Sequence, residues 1–407
     1  MTTLDHSVGA QFDGVLDAAL AMQPQTVALR REIHRHPEIG LRLPATQAAI
    51  LRALSGLPLA LHTGDGLDSV IAVLAGARPG PTVLLRADMD ALPLSENTGL
   101  DFASEVDGAM HACGHDTHVA MLASAARMLC QFRDRLAGTV VFMFQPGEEL
   151  YFGAKYMLAE GLLEVTGQRP VRALALHVDP NHVSGRLRCR PGPMLASADE
   201  LHVRITGQSG HAAMPHRALD PVPAAAAIVG ALQTMVTRQV NVFEPAVVTI
   251  AHIQAGATNT NIIPETAQLS GTIRALSEHT RAELHRQIPQ VCEHAAAMHG
   301  CTAEVTLKLG YGVTVNDDAV TNAVLAVTDA VLGTGRGVLA KEPLMVTEDW
   351  SYVLNEVPGA MAFLGACPPE VEPADAAPGH SNRVVFDEAA LSSGVAIYTA
   401  FALDALR

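Results

Sequence analysis

The chain has 407 residues, with 27 lysines and arginines against 42 aspartates and glutamates, for a formal charge of −15. That charge repels a phosphate backbone and excludes nucleic acid as a partner, and no apolar run reaches the ~18–20 residues a membrane span needs. With 49 % hydrophobic and 17 % charged residues, the chain reads as a globular enzyme, at about 150 residues per domain one of two or three domains.

In chain order, Met1–His6 lacks a basic stretch leading into an apolar core, so no secretory signal is read and a cytoplasmic location is expected. Residues 25–56 read as helix, interrupted at Pro37. The apolar runs Val70–Leu74, Thr82–Leu85, Thr139–Phe144 and Val171–Leu176 are short and bounded by turn residues, as strands buried on both faces are. Between them, His118–Leu129 places Val119, Leu122, Ala126 and Leu129 on one helical face. Strand and helix in alternation predict an α/β domain, a mixed sheet with helices on both faces.

From Ala198 the pattern changes. An alternating strand (Leu201, Val203, Ile205) precedes a helix opened by Pro221 and Pro223. Strands over Val247–Ile253 and Ala267–Ile273, a helix capped by Ser277 and a strand ending near Lys308 follow. This β-α-β-β-α-β order predicts a small inserted α+β domain of ferredoxin-like type. A helix over Ala319–Leu332 and a strand at Met361–Leu364 return to α/β character. The expected domains are therefore a catalytic domain in two parts, 1–196 and 311–407, around an insert at 197–310.

The polar residues sit where strands are expected to end. Arg86-Ala87 runs into Asp88-Met89-Asp90, Phe144 through Gln145-Pro146-Gly147 into Glu148-Glu149, and Leu176 into His177, while His111-Ala112-Cys113-Gly114-His115 precedes a helix. Ligands of open α/β sheets bind off the carboxyl ends of strands, and cysteine, histidine and carboxylate together form a transition-metal donor set. Each piece alone has a plainer reading: a helix start, a solvated turn, a strand-end histidine. Asp88 and Asp90 read equally as a turn with its helix cap or as residues holding a ligand histidine. Six scattered cysteines without a CxxC pair read as reduced thiols, five of them small core residues.

The motifs Arg31–Glu38, Arg86–Pro93, Met110–His118, Gln145–Glu149, Gly207–His216, Thr260–Pro264 with Gly271–Arg274, Thr347–Ser351 and Gly379–Ser381 together resemble the M20 metallopeptidase family, in its amidohydrolase branch. The resemblance implies two divalent metal ions per subunit. Manganese is expected, with zinc, cobalt or nickel as alternatives; Cys113 would be the bridging thiolate, and His115, Glu149, His177 and His380 the other ligands. Glu148 would be the general base. Extended neighbours point in opposite directions, so one of Glu148 and Glu149 faces the metals; spacing does not say which, and the resemblance assigns it.

In the insert the resemblance implies that His211 donates to the developing oxyanion, with Asn261 and Arg274 holding the substrate backbone and its carboxylate. Arginine suits a carboxylate because its planar fork donates two parallel bonds; the plainer reading of Arg274 is a strand residue paired to an acid. His216 and Asn259 are weaker candidates, and His34 and His36 read as structural.

Departures from the family pattern are Leu150-Tyr151-Phe152 where small residues are usual, Trp350 for phenylalanine, and Asn382 for proline. They leave the acyl preference open between a stacked aromatic group and acetyl. The expected reaction is hydrolysis of an N-acyl-L-amino acid to a carboxylic acid and a free amino acid. The alternatives are a dinuclear dipeptidase or aminopeptidase, a Cys113 nucleophile with a histidine base, and a non-catalytic scaffold. A homodimer through the insert, which would act as lid and dimerisation domain, is also implied.

Overall fold

The computed structural model describes residues 11–407; Met1–His6 lies outside them. The chain forms two compact units, one built from residues up to Met194 with Val315–Glu342 and Asp349–Arg407, the other from Leu195–Thr314 with Pro343–Glu348. Among the described residues no helix is long and apolar enough to cross a membrane.

The first unit is α/β, around a mixed eight-stranded sheet. Its strands include β1 (Ala60–Thr63), β2 (Val70–Ala75), β3 (Arg78–Asp88), β4 (Ala137–Gln145), β5 (Pro170–Val183) and β6 (Leu187–Cys189). The order is β1-β2-β4-β3-β5, then Gly359–Cys367, β6 and Gly337–Leu339. The central ladders β4-β3-β5-(Gly359–Cys367) are parallel, and β1-β2 and β2-β4 are antiparallel. Val83, Leu84, Leu85, Phe142, Phe144 and Leu174 are fully buried, which is why their segments are apolar without alternation.

Helices Val15–Arg35, His115–Gln131 and Ala390–Ala405 contribute to the same core. The first runs through Pro24 and begins well before the segment expected from sequence. Burial of Val15, Ala19 and Met22 outweighs the backbone hydrogen bond that the proline removes. Ala390–Ala405 is buried on nearly every side, which erases the amphipathic period that would have announced it.

The second unit has an antiparallel four-stranded sheet, in the order Ala246–Ala255, Thr266–Ala275, Asp199–Thr206, Thr302–Leu309. Helices Pro221–Gln239 and Glu278–Ala297 bury Ile228, Leu232, Leu284 and Ile288 with Leu201, Val203 and Ile205. Asp220 caps the first through Val222 N–H, and Ser277 the second through Thr280 N–H. A two-stranded ribbon joins Gly210–His211 to Ile262–Ile263.

One feature of the first sheet positions the chemistry. From β3 the chain adds β4 on one side and β5 on the other, so the order reverses at β3. The β3–β5 ladder ends with Arg86 opposite Ala175, while β5 stays paired to Gly359–Cys367 beyond that point. Past Arg86 the two strands are no longer paired, at the reversal point beside which ligands of open α/β sheets bind.

Candidate metal centre

Cys113 and His115 flank Gly114, whose φ of +85° is natural only to glycine; a Cβ there would meet Val178 Cγ2 at 2.5 Å. This turn brings the sulfur and the first residue of helix His115–Gln131 together at that end of the sheet. His115 is fully buried, and its Nδ1 donates to the Asp90 carbonyl at 2.8 Å. His177 Nδ1 donates to the Val178 carbonyl at 2.7 Å. In its neutral form each ring therefore keeps a lone pair on Nε2. His177 Nε2 lies 3.4 Å from Cys113 Sγ, and His115 Nε2 is buried with no hydrogen-bond partner.

The carboxylates come from the turn after β4. Asp90 accepts the N–H of Glu148 at 2.8 Å and of Glu149 at 3.0 Å, one on each oxygen. His380 has φ +65° and donates its N–H to Ala112 O, and its Nε2 is 3.3 Å from Glu149 Oε1. Possible ligand atoms within 4.8 Å of one another form the triads Cys113–His115–His177, Cys113–Glu149–His380 and His115–Glu148–Glu149. Cys113 is common to the first two.

Burial pushes the His115 imidazole down, but the Asp88 carboxylate and the Cys113 sulfur hold it well above its usual range. Burial dominates at His177 and pushes it well down. Hydrogen bonds to Cys113 and Glu149 push His380 up to about 10. Burial raises Glu149, yet His380 and His115 bring it below its usual value. The upward shifts at His115 and His380 mark an electronegative cluster, and divalent metal ions would balance the same charge. An orphaned buried imidazole nitrogen and a cysteine shared by two triads suit such ions.

Asp88 bonds His118, a histidine outside the ligand set implied by the resemblance. Its Oδ1 accepts from His118 Nδ1 at 2.5 Å and its Oδ2 from Arg86 at 2.7 Å, while His115 Nε2 is 3.6 Å away. Arg86, fully buried, also donates to Gln145 at 2.9 Å and to Asp349 at 3.2 Å, and its guanidinium lies 5.8 Å from the Trp350 ring centre. Asp349 accepts from Ala154 N–H, so Thr347–Ser351 earns its place partly through this clamp on the segment after the glutamates. His118 and Arg86 were missed as site residues. The three-residue spacing of His118 from His115, one turn along the same helix face, was the available signal. His34 is buried, linking Asp116 at 2.8 Å to Glu96 at 3.2 Å.

Leu150 and Phe152 adopt left-handed backbones with φ +69° and +60°. Phe152 sits 6.4 Å from the Tyr352 ring, Tyr151 packs over Gly40, and Leu150 is 72 % exposed.

His211, Asn261 and Arg274 lie in the second unit. The ribbon brings the first two together, with Ala212 N–H donating to Asn261 O at 3.0 Å, and both residues are exposed. Arg274, half-buried on strand Thr266–Ala275, has an Nη1 that is buried without a hydrogen-bond partner. The nearby Asp199 is taken by Arg281 at 2.6 Å and His285 at 2.7 Å. His216 and Asn259 are exposed.

The sequence profile of peptidase family M20/M25/M40 matches residues 84–404. A thermostable carboxypeptidase of Saccharolobus solfataricus is 34 % identical over 381 residues, covering 93 % of this chain and 94 % of that protein. An N-acetyldiaminopimelate deacetylase of Lactiplantibacillus plantarum is 37 % identical over 381 residues, covering 92 % and 96 %. A solved structure of a dinuclear metal-binding M20 peptidase from Bacillus subtilis matches with a TM-score of 0.82 at 31 % identity, covering 95 % of this chain and 99 % of that one.

Proposed function

The chain belongs to peptidase family M20/M25/M40, and from that premise we propose that it hydrolyses N-acyl-L-amino acids to a carboxylic acid and a free amino acid. The observation that carries this reading is Cys113, shared by two ligand triads beside Glu148. Relatives named a carboxypeptidase and an amino-acid deacetylase support it further, because both names describe an amide whose amine side bears a carboxylate.

Cys113, His115 and His177 would hold one divalent ion and Cys113, Glu149 and His380 the other. Manganese is our choice, with zinc, cobalt or nickel as alternatives. When bound, such ions supply Lewis acidity to the amide carbonyl and to the attacking water. Glu148 takes the water proton on a carboxylate oxygen and passes it to the leaving nitrogen. Asp90 keeps Glu148 in place through the main chain. We assign oxyanion donation to His211 and substrate backbone contact to Asn261. Arg274 is assigned to the free carboxylate, and its unpartnered buried Nη1 supports that role. The second unit serves in this reading as lid and as the contact of a homodimer.

The test is to incubate manganese-loaded protein with acetyl, benzoyl, long-chain and indole-acetyl amino acids, and with dipeptides carrying a free amino group, and to read the released amine. Hydrolysis of the acyl conjugates, lost in chelator and in Cys113→Ala, is expected. Faster turnover of the free dipeptides would favour a dipeptidase, and full activity in chelator would leave the thiol-nucleophile chemistry standing.

A further inference from the structure

Beyond Ala175, β5 loses β3 as a hydrogen-bond partner but keeps its partner on the other edge. Two N–H groups of equal parity, those of Leu176 and Val178, therefore face the gap. Neither is left bare. Leu176 N–H donates to Tyr398 Oη at 2.9 Å, and the same hydroxyl donates to the Arg86 carbonyl of β3 at 2.6 Å. Val178 N–H donates to His118 Nε2 at 2.9 Å, and His118 Nδ1 reaches Asp88 Oδ1 of β3 at 2.5 Å.

Two buried side chains, one from helix Ala390–Ala405 and one from helix His115–Gln131, thus stand where backbone rungs would continue the ladder. A side chain is longer than a direct N–H to C=O bond, so each rung spreads the strands instead of closing them. His177 lies between the two rung positions on β5, and its ring meets the His118 ring at 4.7 Å in an edge-on arrangement. Val178 N–H occupies His118 Nε2, so His118 has no lone pair to offer a metal and holds its proton on Nδ1.

We infer that His118 and Tyr398 are positioning residues for the metal centre: they hold β3 and β5 apart at a fixed spacing, which sets His177 against Cys113. The inference rests on the two-metal reading above. It assigns function to two residues that touch neither substrate nor ion. It also predicts selectivity, because His177 belongs to one ligand triad and Glu149 and His380 to the other.

The experiment is calorimetric titration of metal-free full-length protein with Mn²⁺, alongside thermal melts. Wild type should take up two ions. His118→Phe keeps a ring but breaks both bonds of its rung, and should weaken one site by about 10- to 100-fold, the usual cost of removing a group that orients a ligand, while sparing the other. His118→Gln, whose amide can donate to Asp88 and accept from Val178, should recover most of that loss. In a His177→Ala background His118→Phe should cost nothing further, since the ligand it positions is gone. Tyr398→Phe removes only the hydroxyl and decides the matter should His118→Phe fail to fold; it should weaken the same site.

Folded His118→Phe or Tyr398→Phe protein that binds two ions as tightly as wild type overturns the inference. So does an equal loss at both sites that follows a fall in Tm, which would mark the rungs as general scaffold. Wild-type protein that binds no Mn²⁺ would instead remove the metal-centre reading beneath it.

Discussion

Asp90 and His115 are joined by a hydrogen bond from the imidazole Nδ1 to the Asp90 main-chain carbonyl at 2.8 Å, while the Asp90 side chain holds Glu148 and Glu149 through their N–H groups. One residue just past the end of β3 therefore orients a ligand histidine with its backbone and a pair of glutamates with its carboxylate. The two tasks can be separated. Asp90→Asn keeps the carbonyl and gives up one acceptor oxygen. The kcat should fall about 10- to 100-fold, with metal loss confined to the ion that Glu149 would hold and the His115 site retained, measured by metal analysis and steady-state kinetics on the same preparation.

Glu148 and Glu149 are adjacent but differently placed, Glu149 alone sharing a triad with Cys113 and His380. Glu148→Gln should retain its metal and lose about 10²- to 10⁴-fold in kcat, the usual worth of a positioned general base. Glu149→Gln should lose metal first. Exchanged phenotypes would reverse the assignment.

Arg274 carries a buried Nη1 with no partner. Arg274→Ala should raise KM for substrates with a free α-carboxylate and leave kcat within a few-fold, because that contact is made in ground and transition states alike. The methyl ester of the same substrate should hardly distinguish variant from wild type. Equal losses on acid and ester would make Arg274 a structural residue.

Stability should fall in acid through a second buried cluster. Burial pushes the Glu96 carboxyl up, but hydrogen bonds from His34, Thr98 and Ser104 N–H outweigh it and bring it to about 2, against 4.5 unperturbed. A carboxyl lowered on folding adds stability that is present above pH 4.5 and is lost as pH falls towards 2. Glu96→Gln should be less stable than wild type at neutral pH, with a flatter dependence of Tm across that window. An unchanged slope would show that Glu96 carries none of the acid response.

The sequence determined the strand cores and the ligand candidates, because both are local properties. Thr82–Leu85 and Thr139–Phe144 are apolar without alternation since Val83–Leu85 and Val140–Phe144 are buried on both faces, and chemistry-bearing residues follow such runs; Val70–Leu74, equally apolar, instead alternates between buried and half-buried positions. Even the cap at Ser277 follows from a side chain that satisfies an orphan N–H three residues away. Ala390–Ala405 escaped that reading because a helix buried all round shows no period. Only tertiary structure decided what the polar residues touch. Asp88 turns to His118 and Arg86 because β3 and β5 part beyond Arg86 and two helices fill the gap. Cys113 joins two triads because His115 and His177 on one side, and Glu149 of the β4 turn and His380 on the other, converge on one sulfur. Hydrogen bonds and metal ligation act over a few ångströms between residues dozens to hundreds of positions apart, and no local pattern of side chains records those distances.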